Sequence, residues 1–477
     1  MRVVNDATPL RHVPRPLREP PPAAVDPLVR AGREGRLVLY LGAGVSRSSP
    51  SSGPSGNDVA DQLRPFAAEL LGVDVGNVTA PNLEALAERV ELEVGERLPA
   101  LKVRAAEAWH FRDMEPNYAH EVTALLLREG FVTVVSANWD CGVENGGKHI
   151  EIVIEGVSSA LDRLNLASGK VPIYKVHGCA TRPETLVLTR SEIDEPRTWA
   201  RAEVQGSLAG GRVAFVGLGT LGSYVGEPVR ELVDLWTADG TTICVVDPNG
   251  PSEAWREVLG ETAHEVELRF GADEFMDHVV RAVALDALSR VEHEARTLHD
   301  SEQQDWSEAT LDGSIALRRA FADSPGDAVL RWWRDGVIPS MDGRQFIFEA
   351  AGQVCLLCVA QLADRDGPPL QVSGTDGALT VRSPVRYFEI GCAPGMLRDA
   401  AERGARARIE RRRRNGRYTA GAPVTVAIHG AKGAFPNPRA PVDIAGVTSE
   451  PSNIAAAFTD DILVVRAEDA TNGALLP

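Results

Sequence analysis

The chain has 477 residues, 44% of them hydrophobic, and carries a formal net charge of −17 at pH 7. That length supports two or three ordinary cores rather than one. The acidic balance argues against a surface built to coat duplex nucleic acid, which needs clustered excess Lys and Arg.

Taken in chain order, Met1 to about Asp26 is Pro-rich and lacks the apolar stretch of a secretory signal. No later segment holds the roughly 18 uninterrupted apolar residues of a membrane span, so a cytoplasmic protein without membrane contact is expected. The six cysteines have no paired-knuckle spacing and read as free thiols in a reducing compartment.

From Arg36 onward, short apolar runs alternate with longer amphipathic stretches, the pattern of a parallel sheet covered by helices. Arg36–Leu41, Phe131–Val135, Val171–Val176, Arg212–Val216, Thr242–Val246 and Val266–Phe270 are the expected strands. Asn82–Trp109 is expected to be one helix, because Leu83, Leu86, Ala87, Val90 and Val94 recur at helical spacing. Asn117–Arg128 and Gly226–Trp236 are further helices, and Gly271–Ala322 is a polar, mostly helical segment closing the first domain. The division predicted is an arm over residues 1–30, an α/β Rossmann-like domain with helical insertions over 31–290, and a smaller α+β domain over 291–477.

Five polar blocks stand at the carboxyl ends of the expected strands. They are Gly42-Ala43-Gly44-Val45-Ser46, Ser136-Ala137-Asn138-Trp139-Asp140, Lys175-Val176-His177-Gly178, Gly217-Leu218-Gly219-Thr220 and Asp247-Pro248-Asn249. In an open parallel sheet that edge is where ligands bind. Taken singly, each block has an ordinary reading as a strand-to-helix turn or a hydrogen-bonded strand end. Five in succession point to one composite site. The glycine loop departs from the dehydrogenase fingerprint, because its third glycine is absent and no acidic residue ends a second strand about 20 residues on.

In order and spacing these blocks resemble the sirtuin superfamily, and the resemblance runs from about Arg33 to Leu288 while leaving the carboxyl-terminal third unexplained. It implies NAD as the substrate, with Gly42, Ala43, Gly44 and Ser46 at the diphosphate. Asn138 would lie near the nicotinamide ribose, Asp140 would belong to the same cofactor-binding loop and anchor it, and His177 would act as base on the ribose hydroxyls. Gly217, Gly219, Thr220 and Asp247 would contact the remaining parts of the dinucleotide. The residue types suit the chemistry, since departing nicotinamide leaves positive charge on the ribose and calls for neutral oxygens and a placed base.

Two departures from the deacylating sirtuins direct the expectation further. No cysteine pairs for a structural zinc lie between His177 and Gly217, and the usual continuation of the glycine loop is missing. Cys355-Leu356-Leu357-Cys358 lies in an apolar run and reads as core packing rather than half a zinc site, so no metal is expected. The chain therefore looks like the NAD-hydrolysing, sirtuin-like domains of bacterial antiphage systems, acting by NAD depletion. A zinc-less protein deacylase and a non-catalytic NAD-binding scaffold are the alternatives. The resemblance also implies a homo-oligomer, or a complex with a DNA-translocating ATPase or an Argonaute-like protein. Trp332, Trp333, Phe346, Phe348 and the run Arg403–Arg417 are the candidate contacts, against core packing for the aromatics and a solvated helix face for the arginines.

Overall fold

The computed structural model describes residues 25–147, 149–154, 170–195, 198–219, 222–238, 243–260, 267–302, 371–375, 378–382, 387–394, 424–430 and 462–466, with a few isolated positions between them. The chain divides into two compact units, Val279 belonging to the first and Val280 to the second.

The first unit is built on seven strands: β1 (Leu37–Leu41), β2 (Val132–Ser136), β3 (Ile150–Val153), β4 (Val171–Lys175), β5 (Arg212–Val216), β6 (Ile243–Val246) and β7 (Glu267–Leu268). They lie in the order β3-β4-β2-β1-β5-β6-β7, and every pairing is parallel. β1 is buried along its whole length because helices cover both faces of a parallel sheet, which is why it reads as an unbroken apolar run rather than an alternating one. On one face Tyr40, Phe215 and Trp255 stack in series, with ring centroids 5.5 and 4.6 Å apart. The helix Glu253–Leu259 is thereby seated, and Trp255 Nε1 donates to Leu218 O at 2.8 Å.

The six strands expected from the apolar runs are present. β3 is an addition. Its Ile-Glu-Ile-Val pattern is half-exposed because β3 is the sheet's edge, so it lacks the apolar run that marks the interior strands.

Between β1 and β2 the chain inserts a helical module with its own core: the helices Gly56–Leu71, Leu83–Val94 and Leu98–Glu107 bury Val59, Leu63, Leu86, Val90 and Leu101 together. The single helix expected over Asn82–Trp109 is two. A tight 3-10 turn at Gly95–Arg97 separates them, and Pro99 falls in the first turn of the second, where its missing N–H costs nothing. The helix Tyr118–Arg128 then returns the chain to the sheet. Asn117 caps it, accepting from His120 N–H at 3.0 Å, and Asp273 accepts from Ala119 N–H at 2.9 Å. The helix Ala272–Glu302 follows β7, in agreement with the helical segment expected there. Among the described residues, no helix is long and apolar enough to cross a membrane.

The second unit holds a five-stranded mixed sheet: β8 (Gln371–Thr375), β9 (Ala378–Arg382), β10 (Tyr387–Pro394), β11 (Val424–Gly430) and β12 (Ile462–Arg466), ordered β12-β11-β10-β9-β8. β11 and β12 are the apolar runs Val-Thr-Val-Ala-Ile-His-Gly and Ile-Leu-Val-Val-Arg. Cys355, Cys358, Trp332, Trp333, Phe346, Phe348 and all of Arg403–Arg417 except Arg406 and Ala407 lie outside the described residues.

Candidate functional site

The loops after β1, β2, β4 and β5 leave the same edge of the sheet, and short hydrogen bonds tie three of them together. Gly42 N–H donates to Val216 O and Gly44 N–H to Gly217 O, both at 2.9 Å. The loops after β1 and β5 are in backbone contact: a Cβ on Gly42 would meet Gly217 O at 2.5 Å, and one on Gly44 would meet Gly217 Cα at 2.6 Å. Gly217 itself holds φ +65, where side chains are strained. The glycines at these positions are thus required by loop-to-loop packing. The N–H groups of Gly42 and Gly44 are spent on the end of β5 and on Gly217 just after it, so the loop offers a ligand close approach rather than free glycine donors.

Gly44→Ala is accordingly expected to cost about 1–3 kcal/mol, the usual range for forcing atoms into filled space. Gly219→Ala, whose Cβ would meet nothing within 4 Å, should be neutral. Equal urea midpoints for the two variants would refute this packing account. Gly219 is exposed, and Thr220 lies outside the described residues.

Asn138 is buried in the loop after β2. Its Nδ2 donates to Gly42 O at 3.0 Å, which fixes the amide's orientation, because only the nitrogen can donate to a carbonyl. Among the described residues no protein group donates to Oδ1, so the oxygen is left for a ligand or water.

Asp140 and Ser46 turn inward. Ser46 Oγ donates to Asp140 Oδ2 at 2.8 Å, and Asp140 Oδ1 accepts from Gly142 N–H at 3.0 Å. These two residues thereby tie the glycine loop to the asparagine loop. His120 completes the brace, with Nε2 3.1 Å from Ser46 Oγ and Nδ1 3.2 Å from Ser51 Oγ. Burial lowers its pKa, so the ring is neutral. A proton on Nε2 fits the geometry, since Nδ1 then accepts from Asn117 N–H at 3.4 Å. His120 was missed in the sequence because its partners are far away in the chain. The Pro-Asn-x-x-His spacing, which puts it at the third position of a capped helix, was the available signal.

His177 occupies the turn after β4. Gly178 makes that turn possible: it holds φ +84, and a Cβ there would lie 2.2 Å from Thr185 O. His177 O accepts from Val187 N–H at 3.0 Å. Burial pushes the imidazole down to about 4, so it stands neutral and proton-accepting at physiological pH. Beneath this turn Lys175 Nζ bonds Asp140 O and lies 2.9 Å from Glu144 Oε1, with both side chains buried. Burial works against the ammonium, but Glu144 and its neighbours outweigh it and hold Lys175 above the usual lysine range.

The segment following His177 is pinned to the helical module. Leu186 and Leu188 join its core, Glu192 bridges Lys102, and Arg190 lies 3.4 Å from Glu84. Trp139, beside Asn138, packs on the same module edge-on to Phe111 at 6.1 Å and 83°. Asp247, at the end of β6, uses its carboxylate on its own turn, accepting from Asn249 N–H at 2.8 Å.

Residues 132–257 match the SIR2-like domain. The match includes Asn138, Asp140, His177, Gly217 and Asp247, and begins after the glycine loop. Among solved structures, a Sir2 homologue complexed with NAD is 17% identical, with a TM-score of 0.36, covering 57% of this chain and 96% of that one. A mutant Sir2 homologue complexed with ADP-ribose is 16% identical, with a TM-score of 0.33, covering 55% of this chain and 97% of that one. No curated protein matches the chain.

Proposed function

We propose that the chain is an NAD glycohydrolase, cleaving the bond between nicotinamide and ribose to release nicotinamide and ADP-ribose, and that it serves bacterial antiphage defence by depleting NAD. The observation that carries this reading is a single constellation within the SIR2-like domain. Asn138 Oδ1 is oriented by the bond from its own amide to Gly42 O, and a neutral His177 stands at the end of a nearby strand of the same sheet.

In this reading Gly42, Ala43 and Gly44 approach the diphosphate, and Ser46, Asp140 and His120 hold that loop against the asparagine loop. We assign the remainder of the dinucleotide to Gly217, Gly219, Thr220 and Asp247. As the C–N bond breaks, its electron pair leaves with nicotinamide and positive charge develops on the ribose. Asn138 Oδ1 orients the water that adds to that carbon, and His177 takes the proton the water loses.

We take hydrolysis over deacylation from the sequence, in which Cys179 is the only cysteine between His177 and Gly217; Leu186 and Leu188 of this segment pack on the helical module. Incubation with NAD, with and without an acetylated peptide, tests the reading, repeated in phage-challenged cells to include any activating trigger. Nicotinamide release that requires the peptide would replace the hydrolase by a deacylase. NAD binding without turnover in both settings would leave a scaffold. We place the protein in a homo-oligomer or in a complex with a DNA-translocating ATPase or an Argonaute-like partner; sedimentation of the active species as a lone monomer would remove that part.

The pH profile is a second check. Because burial pushes His177 down to about 4, its neutral form persists well below the ordinary histidine range, and the acid limb of the rate should fall near pH 4 rather than near ~6.5. Stability moves differently: the unfolded histidine binds its proton first, so folding free energy is lost progressively as pH drops from about 6.5 towards 4. A rate that halves near pH 6.5 while circular dichroism stays native would exclude His177 as the base.

A further inference from the structure

Two cysteines that the proposed chemistry leaves unused face each other behind the site. Cys141 follows Asp140 in the loop after β2, Cys179 follows Gly178 in the turn after β4, and their sulfurs are 3.7 Å apart. Both are free and buried, packed with Ile152 and Ile154. The two backbones already run side by side, Ala180 N–H donating to Trp139 O at 2.9 Å. Thr181 Oγ1 donates to Cys179 Sγ at 3.2 Å, a contact that favours a sulfur carrying negative charge.

Glu144 completes a group whose ligand-type atoms lie within 4.8 Å of one another. Its carboxylate is bonded to Lys175, whose ammonium supplies the positive charge there, so a metal ion would have to displace a buried ion pair. The paired sulfurs are the feature left to explain.

We infer that Cys141 and Cys179 are a redox-active dithiol, which a small hydroperoxide oxidises to an internal disulfide that staples the asparagine loop to the histidine turn. The Cys179 thiolate attacks the peroxide O–O bond, taking one oxygen as a sulfenic acid while the other leaves as alcohol or water. Cys141 sulfur then displaces that hydroxyl, its thiol proton completing the departing water. Two thiols and one hydroperoxide thus give a disulfide, a water and an alcohol or second water. The sulfurs must close from 3.7 Å to about 2.0 Å to form that bond. The environment assists the first step: the contact with Cys141, the Lys175 ammonium and the Thr181 hydroxyl together hold Cys179 below the usual thiol range, while the same contact and burial push Cys141 up. Burial of both sulfurs selects a small hydroperoxide over a bulky disulfide such as oxidised glutathione.

The test treats the reduced full-length protein with hydrogen peroxide, with oxidised glutathione or with buffer, then denatures, alkylates and digests it. With peroxide, a Cys141–Cys179 linked peptide pair is expected that dithiothreitol reverses, and amide exchange over residues 138–141 and 177–180 should slow. Oxidised glutathione should leave both thiols alkylatable. Cys244 should be alkylated in every arm, because it is buried and burial pushes it up to about 12. Cys141→Ser should strand Cys179 as a sulfenic acid that dimedone captures, and Cys179→Ser should abolish the linkage. The inference is overturned if both thiols stay alkylatable at a peroxide dose that consumes added N-acetylcysteine, or if the linkage forms with other cysteines. A disulfide that leaves exchange unchanged in both segments would overturn the staple.

Discussion

Asn138→Ala is expected to lower the rate of NAD cleavage on the order of 100- to 1,000-fold, the range seen when one placed polar group at a developing charge is removed. The argument rests on the orientation of the amide. Nδ2 is committed to Gly42 O at 3.0 Å, so the oxygen is presented without rotational search, and alanine removes both the oxygen and the tie that aims it. The loss should fall on kcat rather than on folding, since one neutral hydrogen bond contributes about 1 kcal/mol. Single-turnover nicotinamide release, paired with a thermal melt, reads both quantities. Turnover within a few-fold of the parent in a protein of unchanged fold would remove Asn138 from the chemistry, whatever the sheet geometry around it.

The second large effect concerns stability. Lys175→Met should destabilise the chain by about 3–5 kcal/mol, because it leaves the Glu144 carboxylate buried without its cation. The cost comes from the widowed charge rather than from lost attraction, so adding Glu144→Gln to Lys175→Met should restore most of it. Acidification should act in the same direction on the single variant. Burial raises Glu144, the folded state then binds its proton before the unfolded state does, and stability is regained as pH falls through that raised value. Denaturant midpoints for the two single variants and the double variant decide the matter. Losses that simply add would contradict the coupling.

Much of this architecture was legible in the sequence for a physical reason. Interior parallel strands are apolar on both faces, so Leu37–Leu41 and Arg212–Val216 announce themselves, whereas β3, at an edge, mixes Glu with Ile and does not. The break at Gly95 was hidden because apolar residues keep helical spacing up to Val94, and Leu98 and Leu101 resume on the far side. The site divides along similar lines. Asn138 and His177 sit in strand-end blocks whose local chemistry is visible. The inward roles of Ser46 and Asp140, the His120 brace, the Lys175–Glu144 pair and the Cys141–Cys179 pair depend on partners 31 to 94 positions apart. Such pairings are made by the fold; of these only the His120 brace had a local signal, the residue's place three after the capping Asn117, and that does not name its partners.

The place of β1 in the sheet has a consequence for how the chain reaches this fold. Of the seven strands described in this sheet, the earliest in the chain is also the central one: Leu37 pairs with Val132 on one side and with Arg212 on the other. A nascent chain must therefore carry an apolar strand with one open backbone edge until more than half of the first unit has been synthesised, and long-range parallel pairing of this kind is slow. Chains interrupted between β4 and β5 would expose that edge of Leu37–Leu41 as a template for intermolecular pairing. Aggregation of such fragments, and its suppression when a peptide spanning β5 is supplied in trans, is the behaviour this topology imposes.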